Sequence, residues 1–453
     1  MTTPATSRNA PSTWRAGTLV YTSGGIVVLF LLLLFGDFAW AMRERSVGPM
    51  AQWYLKHLDV PNFLYGLLIS SVPALIGLIF APMISYRSDR HRGRRGRRIP
   101  FLLVTTPLAV SGMIGLAMCP ILGPWLHQLL GEYSPGEMVL TLVCFGVFWT
   151  AFEFATIAVT AVFGGLVNDV VPQCLLGRFY GLFRAVSLID GMIFNRFLIG
   201  KVETHYTLIL GLIGLGYGIA FMWVCLKVRE GQYPPPEHPP GRSGVLAGAK
   251  IYLRECFTSR YYLLIFLMVT AATLSFLPIN TFAIPFAKEM GMSMQDYGNC
   301  LALTFFISLC LAFFIGWLAD IFHPLRMCIA SMAGYVLVAA WGGAYATTAE
   351  TFSIALVLHG VLSGCYFTSA ASLGQRLYPH SKFAQFASAA GILGSLGAMT
   401  LGPLIGTVID MSGNSYRHAF SAGVVLAGVA LLAAFAVHAR FMRLGGPKNY
   451  TAP

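Results

Sequence analysis

The sequence predicts an all-α membrane protein of twelve transmembrane helices in two pseudo-symmetric six-helix bundles. Mean hydropathy is +0.69, with 56% hydrophobic and 11% charged residues, against about 25% charged in soluble domains. Apolar stretches of about 20 residues, enough to cross the hydrocarbon of a bilayer, recur along the whole chain. A charged loop between two such stretches occurs twice: SDRHRGRRGRRIP at 88–100 and GWLADIFHPLR at 316–326. Asp89 and Asp320 stand 231 residues apart (320 − 89), about half the chain. A half-length repeat of this kind indicates two parallel halves related by an axis along the membrane normal.

In chain order the spans are expected at 18–42, 63–85, 99–120, 138–163, 175–200, 206–227, 261–286, 297–321, 325–345, 352–375, 383–410 and 417–440. The first 17 residues are polar and lack the apolar core of a leader, so they read as a tail without a cleaved signal. The loop after span 2 carries six Arg among its thirteen residues. That charge cannot sit in hydrocarbon, and the positive-inside rule puts the loop in the cytoplasm. This one loop orients every other segment. Seven basic residues then fall outside: Arg43, Arg45, Lys56, Arg196, Lys201, Lys288 and Arg417. The remaining 23 of 30 (30 − 7) fall inside or near the inner helix ends.

Both termini are expected in the cytoplasm, with the chain in the cell inner (plasma) membrane. The division expected is a tail at 1–17, a bundle at 18–227, a linker at 228–260, a second bundle at 261–441 and a tail at 442–453. The linker contains EGQYPPPEHPPGRSG at 230–244, too rich in Pro to pack as helix. Its mixed apolar and basic stretch at 247–257 suits a helix lying on the inner leaflet.

Nine cysteines show no CxxC or Cys/His metal spacing and read as packing residues. No nucleotide-binding loop and no nucleophile–base pairing stands out, so neither an enzyme, a cofactor nor a metal is expected. The net charge of +12 reflects membrane orientation; the partner is the lipid bilayer and not nucleic acid, and a monomer is expected. In span 11, Gly391, Gly394, Gly397, Gly402 and Gly406, with Pro403, mark close helix contact.

The form SDR-xxxxx-GRR-x-PF resembles the loop between helices 2 and 3 of the major facilitator superfamily, closest to its sugar–cation symporter branch, which includes plant-type sucrose carriers. DVVPQCLLGRFYG at 169–181, GPLIGTVIDMSG at 402–413 and FAWA at 38–41 resemble that group too, whereas MRERSVGP at 42–49 departs from its pattern with three charges. The resemblance implies a transporter working by alternating access. It also implies a cytoplasmic gate at Asp89, Arg90, Arg97 and Arg98, with Asp320 and Arg326 a weaker repeat and Asp169 or Arg376 as helix-end partners.

Ionisable groups inside spans are costly and usually functional. They are Asp37, Glu153, Arg184, Asp190 and Arg196, all in the first half. At about 1.5 Å per residue, Glu153 and Arg184 fall at one depth, and so do Asp37 and Arg196. The expectation is a buried pair of Glu153 with Arg184, a second of Asp37 with Arg196, and Asp190 alone near the midplane. A buried carboxylate can carry a coupling proton or bind sodium, and Asp37 and Asp190 suit that role if they face the cavity. A sugar site needs planar polar groups and aromatic faces. Trp40, Trp149, Phe152, Asn195, Asn280 and Tyr366 are its candidates.

The reading is thus a secondary active transporter for a small sugar or glycoside, in symport with a proton or cation. An exporter or drug-type antiporter, or a non-transporting sensor or assembly factor on the same fold, is the alternative. A hydrophobic cavity lacking a carboxylate would favour the exporter.

Overall fold

The computed structural model describes residues 13–233, 252, 254–379 and 382–453. Most of the expected N-terminal tail (1–12), most of the Pro-rich stretch (234–244) and the first part of the amphipathic helix (247–251) lie outside the described residues. A short hairpin, β1 (Trp14–Ala16) with β2 (Leu19–Tyr21), leads into the helices. These are α1 (Ser23–His57), α2 (Asn62–Arg90), α3 (Ile99–Leu130), α4 (Glu137–Val170), α5 (Gln173–Ile193) and α6 (Val202–Lys227). There follow α7 (Arg260–Glu289), α8 (Met294–Phe322), α9 (Pro324–Tyr345), α10 (Ala349–Ala370), α11 (Phe383–Met411) and α12 (His418–Arg443).

Among the described residues, eleven continuous helical segments are long and apolar enough to span a membrane. One of them, Gln173–Lys227, has 55 residues and would reach roughly 80 Å if straight, far beyond one bilayer. It breaks at the π-turn Phe194–Leu198, the 3-10 turn Ile199–Lys201 and His205 (φ −130°, ψ 31°), so it is two crossings. That makes twelve, as the sequence predicts.

Local chemistry sets the helix ends. Thr22 accepts a hydrogen bond from the Gly25 amide at the start of α1, Ser293 from Asp296 in α8, and Thr348 forms a capping box with Thr351 in α10. The expected end of span 1 is wrong. Span 1 does not stop at Met42: α1 runs on through Arg43, Glu44, Arg45 and Pro49 to His57. Hydropathy ends the span at the three charges, but a helix continues through charges that the protein interior accommodates. Span 10 is shorter than expected, ending at Ala370, and a separate helical turn, Leu373–Leu377, follows.

Two bundles result. In the first, α4 packs on α2 and α3, α6 on α1 and α3, and α5 on α1. In the second, α12 packs on α7 and α9, and α10 on α8 and α9. The bundles meet along α2 with α11 and α5 with α8. The face that carries the Arg-rich loop after α2 is called the basic face below, and the opposite one the far face.

Candidate functional site

The two bundles are sealed at the far face. Asp410, near the end of α11, accepts from the Asn62 side chain (2.8 Å) and from the backbone N–H groups of Asn62 (3.1 Å) and Phe63 (2.9 Å). These amides open α2 and have no partner within it, so a carboxylate there satisfies donors and helix dipole together. Tyr416 donates to Asn62 Oδ1 (2.8 Å), and Lys56 reaches Tyr416 (3.1 Å). One turn deeper, α2 takes a π-turn, Leu67–Ser71, whose Ser70 and Ser71 hydroxyls donate to the carbonyls of Ala398 and Met399. Gly402 has to be glycine here, since a Cβ would strike Ser70 and the Gly66 carbonyl. On the other seam, Arg196 donates to Asn299 (2.8 Å) and Gln295 to the Arg196 carbonyl (3.1 Å).

Among the described residues, the hydrogen bonds between the bundles lie in this far half. Toward the basic face they part around a cavity of about 740 Å³. α2, α4, α7 and α11 and the end of α10 line it, mostly with Ala, Gly, Ile, Val and Leu side chains, and Glu153 is its one charged residue.

Beside it lies the charge cluster of α1, whose membrane position hydropathy missed. Arg43 is fully buried. Its guanidinium lies 5.5, 5.8 and 5.1 Å from the ring centroids of Trp40, Phe152 and Tyr217, and its Nη1 donates to Thr156 at 2.7 Å. Glu153, one turn from Thr156 on α4, is within electrostatic reach of Arg43. Arg45 donates to Ser187 (2.8 Å) and stacks on Phe305 of the other bundle (5.1 Å). Asp37 and Asp190 are both buried, at 2% and 0% exposure, and feel each other's charge. Asp37 Oδ2 and both Asp190 oxygens lack a hydrogen-bond partner. Glu44 and Arg184 remain exposed and interact with one another across α1 and α5.

The two expected pairs do not form. Glu153 is within electrostatic reach of Arg43 and makes no ion pair with Arg184, and Arg196 sits at the far face on Asn299. Counting residues gives depth but not the direction a side chain points round its helix. The six sugar-site candidates of the sequence do not line the cavity in this conformation. Trp149 Nε1 donates to the Leu68 carbonyl (2.8 Å), Asn195 Nδ2 to Gly191 (2.8 Å), and Asn280 Oδ1 meets His359 Nε2 (3.1 Å). Tyr366 is buried against Phe276, and Trp40 holds Arg43. Trp40 Nε1, Asn195 Oδ1 and the Tyr366 hydroxyl are buried without a hydrogen-bond partner.

The loop after α2 is tied down as a unit. Arg97 grips Asp169, at the end of α4, with two bonds (2.9 and 2.5 Å). Arg98 bridges Asp169 (3.3 Å), Asp89 and Ser88. Arg90 lies over the Tyr86 ring at 3.8 Å. Sequence reasoning missed Glu230, just past α6: its carboxylate accepts from the N–H groups of Arg97 (2.9 Å), Arg98 (2.8 Å) and Ile99 (2.7 Å), capping α3. Tyr233 donates to Glu230 (3.0 Å), and burial, with the nearby Glu230 and Asp169 charges, pushes its phenol up, so it remains a donor. The repeat is sparser. Asp320 meets Arg376 at 3.3 Å with both exposed, and Arg326 reaches His438 at 3.5 Å. No group of three or more metal-ligating side chains occurs among the described residues.

Comparison with known proteins follows this geometry. Over 87 residues the chain is 36% identical to the human (Homo sapiens) and mouse (Mus musculus) Proton-associated sugar transporter A. That segment is 19% of this chain but only 11% and 10% of those proteins, so the match spans about a tenth of the curated relatives' length. A D-xylose-proton symporter structure superposes with a TM-score of 0.64 at 14% identity, covering 94% of this chain and 98% of that one. A bacterial homologue of the human lysosomal transporter Spinster gives 0.67 at 14% identity, covering 96% and 100%. At that identity these likenesses establish the fold. The family model described as MFS/sugar transport protein matches residues 32–375, about three quarters of the chain. With twelve crossings in two bundles, the chain is a membrane transporter and belongs to the MFS/sugar transport protein family.

Proposed function

We propose that this transporter carries a sugar or glycoside across the membrane by alternating access, in symport with a proton or a sodium ion. The observation that carries the reading is the asymmetry between the faces: hydrogen bonds close the far side while a cavity holding Glu153 lies open on the other. A carboxylate in such a cavity, beside the buried Arg43, is suited to exchanging an ion with the solution as the substrate binds. The exporter reading expects a cavity without a carboxylate, and Glu153 argues against it. On this account the basic face is cytoplasmic, both termini lie there, and the linker at 228–260 joins bundles at 18–227 and 261–441 that rock against each other. Asp89, Arg90, Arg97, Arg98 and Asp169, with Asp320 and Arg326 in the repeat, would then hold the helix ends of the cytoplasmic gate.

The test is uptake of a panel of labelled mono- and disaccharides into proteoliposomes under an imposed pH or sodium gradient. Accumulation of at least one sugar above equilibrium is expected. Folded protein that moves none of them under either gradient would overturn the reading.

A further inference from the structure

The loop after α2 carries more positive charge than its contacts with Asp89 and Asp169 use. Gly93 and Gly96 exchange two backbone hydrogen bonds (3.3 and 3.1 Å), so Arg94 and Arg95 form the tip of a tight two-residue turn. Gly96 has φ +100° and packs so closely on Glu230 that a Cβ would strike its carboxylate. The turn is thereby held against the chain that leaves α6, and a second cavity of about 750 Å³ lies between them. Arg92, Arg94, Arg95 and Arg229 line it, together with Tyr233. Glu230 is the one acidic residue of that lining, and both its oxygens are taken by the first amides of α3 and by Tyr233. Among the described residues, Arg94, Arg95 and Arg229 make no ion pair. Like charges held together repel, and a phosphate, onto which guanidiniums fork in pairs of hydrogen bonds, relieves all three at once.

The surface of α6 says which phosphate. Leu212, Leu215, Ile219, Trp223 and Leu226 are all exposed, and their spacing of three or four residues puts them on one face of the helix. The stripe rises over 14 positions (226 − 212), roughly 21 Å, enough to cross the ~15 Å of one hydrocarbon leaflet. Leu226 belongs both to this stripe and to the cavity lining, so the basic pocket opens directly onto a lipid-facing apolar track. We infer that the pocket is a binding site for an anionic phospholipid. Its phosphate joins Arg94 and Arg95 of the loop to Arg229 beyond α6, and its acyl chains lie along the α6 stripe. The bound lipid thus ties the turn between α2 and α3 to the end of α6 at the basic face.

The experiment is native mass spectrometry of the full chain in a neutral detergent, titrated with dioleoyl phosphatidylglycerol, dioleoyl phosphatidylcholine or inorganic phosphate. Phosphatidylglycerol should bind at least about tenfold more tightly than phosphatidylcholine, whose choline cancels the phosphate charge. Arg94→Gln with Arg95→Gln, and independently Arg229→Gln, should bring that ratio close to one. All three side chains are exposed, so the fold tolerates their loss. Arg260→Gln with Arg443→Gln removes two exposed guanidiniums from the second bundle and should leave the ratio unchanged. Equal affinities for the two lipids in wild type, or a preference that survives in both pocket variants, would overturn the inference. A preference lost as fully in the second-bundle variant would trace it to overall charge and overturn it too. Inorganic phosphate binding as tightly as phosphatidylglycerol would make the pocket a site for a free anion and remove the lipid assignment.

Discussion

Asp410 of the second bundle holds Asn62 of the first at 2.8 Å through its side chain and at 3.1 Å through its backbone N–H. With the Phe63 amide, one carboxylate thus caps the first turn of α2 from across the seam. The closed far face is therefore built on the unpaired amides that every helix start must place somewhere.

Asp410→Ala should loosen that seal. Two backbone donors and one amide lose their acceptor, a cost on the order of 1–3 kcal/mol when they are not rehydrated. Spin labels at Asp59 and Ser412, both exposed on the far face, should show a longer and broader distance distribution in the variant. An unchanged distribution would mean that the Ser70 and Ser71 contacts hold the face without Asp410.

Arg97→Lys keeps the charge at the basic-face lock but loses its geometry. An ammonium cannot supply the two parallel bonds that Arg97 gives Asp169. The pair is about four-fifths shielded from solvent, so a loss of about 1–2 kcal/mol is expected. It would be read as a lower thermal midpoint in detergent. A wild-type midpoint would place the stability of the loop in Glu230 and Arg98 instead.

His323, between α8 and α9, gives the chain a pH-dependent stability. Its Nδ1 accepts from the Leu325 amide at 3.2 Å, and its φ is +78°. Burial, helped by the Arg376 and Arg326 charges, holds its imidazole down at about 4. The unfolded chain, near 6.5, then binds more protons than the folded one between those values. Stability from this group is therefore full above pH 6.5 and is lost as pH falls toward 4. His323→Asn tolerates the positive φ and keeps a capping acceptor, so its thermal midpoint should vary less across pH 4–6.5. Identical pH profiles for both proteins would count against the assignment.

The fold was legible because it rests on one-dimensional signals: apolar length, positive charge by side and a loop repeated at half the chain. The site was legible only in part. Asp89, Arg97, Arg98 and Asp169 come together as expected, because the loop motif is local and abuts the end of α4. Arg43 and Arg45 were assigned to the outer surface because hydropathy treats any charge as a boundary. What places Arg43 inside is the ring of Trp40, Phe152 and Tyr217 around it, drawn from three helices. Glu230 was invisible for a similar reason: its partners lie more than 130 residues away. Neighbours that depend on helix rotation, such as Arg43 within electrostatic reach of Glu153, leave no trace in spacing.

The central claim is that ion movement through the Glu153 cavity drives sugar movement. Its most direct test compares wild type with Glu153→Gln in proteoliposomes, using whichever sugar the uptake panel identifies. Wild type should accumulate that sugar under an inward ion gradient. The variant should equilibrate labelled sugar across the membrane by exchange yet fail to concentrate it. Gradient-driven accumulation as strong in Glu153→Gln as in wild type would contradict the claim.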